Sequence, residues 1–177
     1  MKYLISLGSN VGNGLDNISK AIMLLEDSNI TVDEYSSVYC SSPVDFVSQA
    51  DFINVSAIID ADLYPEELLI KLKKIEKDMG RIKTIPKGPR NIDLDILFWE
   101  NGTHSSRNLT IPHKQAMNRL FVIFPTLEII EKLDVFEEEK LSLQDSLENK
   151  KERFAGQRVE KLCPLNMEKV IYEWKNR

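Results

Sequence analysis

Two aspartates stand one residue apart directly behind a Gly-Pro-Arg, in the run Gly88-Pro89-Arg90-Asn91-Ile92-Asp93-Leu94-Asp95-Ile96-Leu97-Phe98-Trp99. From Asp93 onward the residues are β-branched, aliphatic and aromatic, which predicts a strand. Side chains alternate faces along a strand. Asp93 and Asp95 therefore point the same way, with Cα atoms roughly 6.5–7 Å apart. Ile92, Leu94, Ile96 and Phe98 point the other way, into a core. Two carboxylates on one face repel each other unless a cation lies between them. The spacing suits one or two Mg²⁺ ions, which take few protein carboxylates and complete their shells with water and substrate phosphates. The alternative is an edge strand with a solvated acidic face.

The surrounding residues bear on that choice. Arg81, Lys83, Lys87 and Arg90 lie in the segment that feeds the strand, and Pro112-His113-Lys114 with Asn118-Arg119 follow it. Taken singly, a basic loop is a solvated loop, His113 a turn residue, and Arg119 a partner for Glu128. Together, a carboxylate pair, several cations and one histidine are what polyphosphate chemistry requires. Metal ions bridge phosphate oxygens while guanidinium and ammonium groups neutralise the transferring and leaving groups, and arginine offers a planar fork for phosphate oxygens. A G-x-G-x-x-G fingerprint is absent after Gly8-Ser9-Asn10, as is any G-x-x-x-x-G-K-[ST] loop. A nucleotide would be bound without a Walker loop.

The 177 residues, with 42% hydrophobic and 29% charged side chains, fit one globular domain over 1–177. A core of about 1–130 is followed by a C-terminal helical extension over about 136–177. The formal net charge of −5 argues against nucleic acid as a partner. No apolar run reaches the roughly 18–20 residues of a membrane span, and the start is too short for a signal peptide. Cys40 and Cys163 lack metal spacing and read as free thiols of a reducing cytoplasm. With His104 and His113 alone, a multi-histidine metal centre is excluded.

The elements that must position the chemistry follow from periodicity. Tyr3–Leu7 predicts a buried strand, ending in the turn-rich Gly8 to Gly14. Asp16–Asp27 predicts a helix, and Ile30–Tyr39 a second strand. Phe52–Ile59 predicts a third, with Asn54 and Ser56 on the face of Phe52, opposite Ile53, Val55 and Ala57. Pro65-Glu66-Glu67 opens a helix that Gly80 should stop. The Asp93 strand comes next, then an Asn101-Gly102 turn with a short partner strand. Met117–Ile130 predicts a helix broken by Pro125. Leu141, Leu143 and Leu147 mark a surface helix within Phe136–Arg153. The tail reads as an amphipathic helix or a docked strand and helix. The order strand, helix, strand, strand, helix, strand predicts an α+β fold, a ferredoxin-like α/β sandwich. Its sheet should be mainly antiparallel, with helices packed on one face.

These residues resemble a known family. Gly88-Pro89-Arg90-x-x-Asp93-Leu94-Asp95 is similar to the signature of the 6-hydroxymethyl-7,8-dihydropterin pyrophosphokinases of folate biosynthesis. Gly8-Ser9-Asn10, Ser42-Pro43, Asp51-Phe52-Ile53-Asn54-Val55, Ile75-Glu76 with Gly80-Arg81, and Pro112-His113 with Asn118-Arg119-x-Phe121 extend the likeness colinearly from about residue 2 to about residue 130. The resemblance implies the same ferredoxin-like fold and transfer of pyrophosphate from ATP, as cosubstrate, to the pterin hydroxymethyl group. AMP would be released and two Mg²⁺ ions used. It implies that Asp93 and Asp95 hold both metals, and that Arg81 and Arg90 neutralise phosphate charge. His113, Arg119 and Lys83 would hold the ATP phosphates, with Thr110 and Glu76 near the nucleotide. Asn54 and backbone groups of Ser41, Ser42 and Val44 would bind the pterin edge. Phe52 and Phe121 would sandwich its ring, and Asn10 would line that pocket. Lys87, Lys83, Lys114 and Asn108 depart from residues common in the family, and lysine keeps charge without the planar fork. A cytoplasmic enzyme, monomer or weak homodimer, is the expectation. The rival from another class is a non-catalytic pterin- or nucleotide-binding module on the same scaffold.

Overall fold

The computed structural model describes residues 1–44, 48–81, 88–132 and 134–168. Strand β1 (Lys2–Ser9) leads to helix α1 (Gly14–Asp27), then β2 (Thr31–Tyr35), β3 (Val38–Ser41) and β4 (Phe52–Asp60). Helix α2 (Pro65–Asp78) leads to β5 (Asp93–Trp99) and the small β6 (His104–Ser105) and β7 (Thr110–Ile111) hairpin. Helices α3 (Leu120–Ile130) and α4 (Glu137–Asn149) precede a last strand, β8 (Val159–Cys163). The main sheet runs β5-β1-β4-β3-β8, with β2 also on β4. Every pairing in it is antiparallel. This is the expected ferredoxin-like α+β arrangement, with the second strand divided.

Local chemistry accounts for the elements. Asn13 caps α1 by accepting from the N–H groups of Leu15 and Asp16 at 3.1 and 3.3 Å. The first helical residue is glycine for a packing reason: a Cβ on Gly14 would lie 2.8 Å from Cγ1 of Ile53. Pro65 starts α2, and Glu67 reaches back to the Tyr64 N–H at 2.9 Å. The helix ends before Gly80, whose φ of 81° is one that glycine adopts without strain.

The structure corrects four expectations. Helices cover both faces of the sheet, not one. Tyr3, Ile5, Leu7, Val55, Ala57 and Ile59 pack against Ile18, Leu25, Leu68 and Leu72 of α1 and α2. Leu4 and Ile58 pack against Val122, Ile123, Phe136 and Leu143 of the α3 and α4 layer. The strand over Ile30–Tyr39 is two strands, because Ser36 and Ser37 form a kink between the Tyr35↔Ala57 and Tyr39↔Asn54 pairs. Helix α3 runs through Pro125 unbroken. The interruption falls instead at Arg119, whose φ and ψ of −127° and 112° are extended. Finally, Phe98 does not share a core with Leu94 and Ile96. The pairing steps from Leu4↔Phe98 to Ile5↔Ile96, so Leu97 is a bulge. Beyond it Phe98 turns to the α3 side, and Trp99 stacks on Tyr3 at 6.1 Å.

Candidate active site

Cross-strand register assembles the site. Asp93 stands opposite Gly8, Gly8 opposite Asn54, and Asn54 opposite Tyr39. The next row on the same face is Asp95, Ser6 and Ser56. One sheet face therefore carries two acids on β5, small residues in the middle and an amide on β4. Among the described residues β5 pairs only with β1, so the acids do lie on an edge strand. Their face is not bare solvent, however. Helix α3 covers it as far as Ser56, whose hydroxyl meets that of Thr126 at 3.0 Å, and beyond that point a cleft of about 930 Å³ opens. At Gly8 a Cβ would sit 3.5 Å from Asn54 Oδ1, so the missing side chain keeps the floor clear.

The cleft has three walls. Glu76, Arg81, Arg90, Asp93 and Asp95 form one. Ser41, Ser42, Val44, Phe52 and Asn54 form the second. Thr110, His113, Arg119 and Phe121 form the third. Lys83, with Pro86 and Lys87, lies outside the described residues. Asn10 does not line the cleft. It donates to Gln49 and Ala50 at 3.1 Å each, accepts from the Arg90 N–H at 2.9 Å, and donates its own N–H to the Arg90 carbonyl. It ties the Gly-Pro-Arg turn to the segment before β4.

The acid corner is a charge network. Arg81 donates to Asp93 at 2.6 Å and to Glu76 at 2.5 Å, and Arg90 donates to the other Asp93 oxygen. Burial pushes the Asp93 carboxyl up, but Arg90 and Arg81, with Lys73 behind them, outweigh it and hold the group below the ordinary aspartate value. For Arg81 burial pulls downward, and the charges of Asp93 and Glu76 more than restore it, so it stays protonated. Glu76 is buried, yet it accepts from the Leu94 N–H at 2.7 Å and from Lys73 at 2.7 Å. Lys73 also reaches the Leu94 carbonyl at 2.8 Å and stands 3.6 Å from Asp95.

Lys73 is a site residue that sequence reasoning missed. Its signal was positional: Leu69, Lys73 and Glu76 follow at helical spacing, so a residue aligned with Glu76 faces the same cleft. On the third wall, the His113 main chain bonds to the Leu97 carbonyl at 2.9 Å, and its Nδ1 accepts from the Gln115 N–H at 3.2 Å. That arrangement leaves Nε2 as the atom for a ligand. Burial draws the His113 pKa below the ordinary value; Arg119 acts in the same sense and Asp95 against it. Each aromatic of the cleft lies under a cation: Arg90 is 5.9 Å from the Phe52 ring centre and Arg119 is 5.5 Å from that of Phe121. Glu128 is taken up by Ser37, Tyr39 and Lys161.

Among the described residues no three His, Cys, Asp or Glu side chains converge. Two neighbouring carboxylates opening on a cleft fit Mg²⁺, which draws its remaining ligands from water and phosphate. The same cleft offers two aromatic faces and the polar Asn54, which suit a flat heterocycle.

Fold and site together define a ferredoxin-like α+β protein whose sheet face presents an acid pair among cations and aromatics. Residues 4–131 match the family model described as 7,8-dihydro-6-hydroxymethylpterin-pyrophosphokinase, and the chain belongs to that family. It is 42% identical over 129 residues to the mitochondrial folate synthesis bifunctional protein of Pisum sativum, covering 73% of this chain and 25% of that one. The 2-amino-4-hydroxy-6-hydroxymethyldihydropteridine pyrophosphokinase of Aquifex aeolicus is 39% identical over 125 residues, covering 71% of this chain and 78% of that protein. Its namesake in Bacillus subtilis is 37% identical over 131 residues, covering 73% and 78%. The fold matches a crystal structure of Plasmodium falciparum HPPK-DHPS with a TM-score of 0.61 at 14% identity, covering 87% of this chain and 45% of that one. The chain thus spans about a quarter of the pea protein and under half of the Plasmodium chain.

Proposed function

We propose that this protein transfers pyrophosphate from ATP to 6-hydroxymethyl-7,8-dihydropterin, releasing AMP, as a step of folate biosynthesis. One observation carries the reading: the Asp93 and Asp95 pair and the Phe52 and Asn54 end share one cleft, with Arg81 and Arg90 at the acids and His113 and Arg119 in the same lining. The pterin occupies the end bounded by Phe52, Phe121, Asn54 and the Ser41, Ser42 and Val44 segment, with Asn10 holding the adjoining turn. ATP lies along Glu76, Thr110, His113 and Arg119, with Lys83 added from the basic loop.

Asp93 and Asp95 would hold the Mg²⁺ ions, two in number, and such ions would supply charge screening of the phosphate oxygens toward the incoming hydroxyl. The pterin hydroxyl oxygen forms a bond to the β-phosphorus and gives its proton to solvent, as the bond from that phosphorus to the α-phosphate oxygen breaks and AMP departs with that oxygen. Arg81 and Arg90, which pair with Asp93, would offer their remaining donors to phosphate oxygens. Catalysis is then positioning and charge stabilisation. The protein works in the cytoplasm as a monomer or weak homodimer; no helix among the described residues is long and apolar enough to cross a membrane.

The test is product analysis. With ATP, Mg²⁺ and the hydroxymethyl dihydropterin, AMP and the pterin pyrophosphate should accumulate in equal amounts. Release of ADP overturns the reaction assigned. Tight binding of both ligands without any AMP supports the non-catalytic module, for which the lysines at 83 and 87 are the argument.

A further inference from the structure

The family match ends at residue 131, but the chain folds back onto the cleft after that. Phe136 and Leu143 bury the α4 segment against the α3 layer, and β8 pairs with β3. Between these two anchorages lie Gln157 and Arg158, and each grips one wall of the cleft.

The Gln157 side chain spans Arg119. Its oxygen accepts from the Leu120 N–H at 2.9 Å, and its NH₂ group donates to the Asn118 carbonyl at 2.8 Å. Arg153 adds a bond to the Asn118 side chain at 3.1 Å. These contacts hold the extended residue Arg119 at the start of α3, and with it the placement of Phe121 two residues on. The neighbouring Arg158 main chain grips the wall that carries Ser42 and Phe52. Its N–H donates to the Ser42 hydroxyl at 3.1 Å, and its carbonyl accepts from the Ser42 N–H at 3.0 Å. Its guanidinium reaches Asp51, next to Phe52, at 2.6 Å. Two successive residues therefore tie the Phe121 wall to the Ser42 and Phe52 wall.

We propose that Gln157 and Arg158 are positioning residues that set the gap between the two aromatic walls of the heterocycle site. The segment beyond the family match is then part of the binding machinery, although none of its described residues lines the cleft. This rests on the pterin reading above. The physical reason is that a flat ring bound between two aromatic faces needs a fixed separation. The Phe52 side is fixed by the sheet, whereas the Phe121 side follows a non-helical residue at a helix start. An amide bonded on both sides of that residue removes its freedom before the ligand arrives, so less ordering is left to binding.

The test is a double-mutant cycle on the full chain, with Gln157→Ala, Phe121→Ala and the pair. Binding of the hydroxymethyl dihydropterin is measured calorimetrically, with Mg²⁺ and an ATP analogue whose α–β bridge is methylene, well below each variant's unfolding midpoint. Losing such hydrogen bonds corresponds to roughly tenfold, so Gln157→Ala should weaken pterin binding by about that factor. In the Phe121→Ala background the same change should cost under about threefold, because the ring it positions is gone. KM for the pterin should rise more than kcat falls.

Equal factors in the two backgrounds, or a lowered unfolding midpoint with unchanged affinity, reduce Gln157 to a merely structural role and overturn the proposal. If Gln157→Ala does not fold, the exposed Arg153→Ala runs through the same cycle under the same criteria. A wild-type protein that binds no pterin overturns the function reading itself, and the brace falls with it. A wild type that binds while the cycle stays additive overturns the brace alone.

Discussion

Replacing Glu76 by glutamine tests how the acid corner is held together. The glutamate oxygens accept from the Leu94 N–H at 2.7 Å, Lys73 at 2.7 Å and Arg81 at 2.5 Å. Glutamine keeps an acceptor for Leu94 but loses the charge facing two cations. A hydrogen bond to a charged group is worth about 1.5–3 kcal/mol. Lys73 is 41% exposed, so its share falls to the surface range of about 0–1 kcal/mol. Arg81 is 17% exposed and keeps Asp93, so its share stays near about 2 kcal/mol. The sum is about 2–3 kcal/mol. Alanine also leaves the Leu94 N–H without its acceptor in a buried place, which adds about 1–3 kcal/mol.

Urea unfolding is the assay. With a slope of about 2 kcal/mol per molar for a small domain, the glutamine variant should shift the midpoint down by about 1 M, and alanine by close to twice that. If both variants fall within about 0.5 kcal/mol of wild type, a surface-like value, the network is not what secures α2 to β5. If glutamine and alanine cost the same, the Leu94 bond is not carrying its assigned part.

Three further outcomes are expected. Asp95→Ala should reduce AMP release at least about a hundredfold, the scale of losing one transition-state partner. Its unfolding midpoint should stay near wild type, because Asp95 stands on an open face 3.6 Å from Lys73; an active variant removes the metal assignment. Gly14→Ala should destabilise by about 1–2 kcal/mol through overpacking, since its Cβ would lie 2.8 Å from Ile53 Cγ1 and 3.0 Å from Ile53 Cβ, and in an Ile53→Ala background the same change should cost under about 0.5 kcal/mol in the same urea assay. Burial raises the Glu128 pKa, but bonds from Ser37, Tyr39 and Lys161 outweigh it and hold the folded value below the ordinary one. Its stabilisation is then present above about pH 4.5 and lost as pH falls through the lower folded value. Compared by chemical unfolding across pH, wild type should exceed Glu128→Gln at neutral pH, and the gap should close in acid; a gap independent of pH refutes it.

What the sequence made legible followed from the two-residue period of strands. That period alone put Asp93 and Asp95 on one face and Asn54 and Ser56 on another, and register then brought them together across Gly8 and Ser6. Helical spacing aligns Lys73 with Glu76, a signal that the apolar stripe of α2 does not carry. The second helical layer was also within reach. The stretch Leu120–Ile130 is apolar nearly all round, which marks a helix buried on several sides rather than one lying on a surface. Gln157 had no such signal. Its partners, Asn118 and Leu120, lie almost forty positions earlier, and the separation closes only when β8 docks on β3.

The bulge at Leu97 explains why the acid face can be open at one end of β5 and sealed at the other. With strict alternation Phe98 would join Leu94 and Ile96 under α2, and Trp99 would take the acid side. The extra residue reverses both placements: Phe98 enters the core beneath α3, and Trp99 turns to stack on Tyr3. Leu97, which lines the cleft, and Phe98 together then fill the α3 face, and the Leu97 carbonyl receives the His113 N–H at 2.9 Å. The bulged residue that closes the core thus also anchors His113 to the strand that carries the acids. A strand without that bulge would keep the aspartates but place Phe98 and Trp99 on the other faces, so the acid pair by itself does not specify this site.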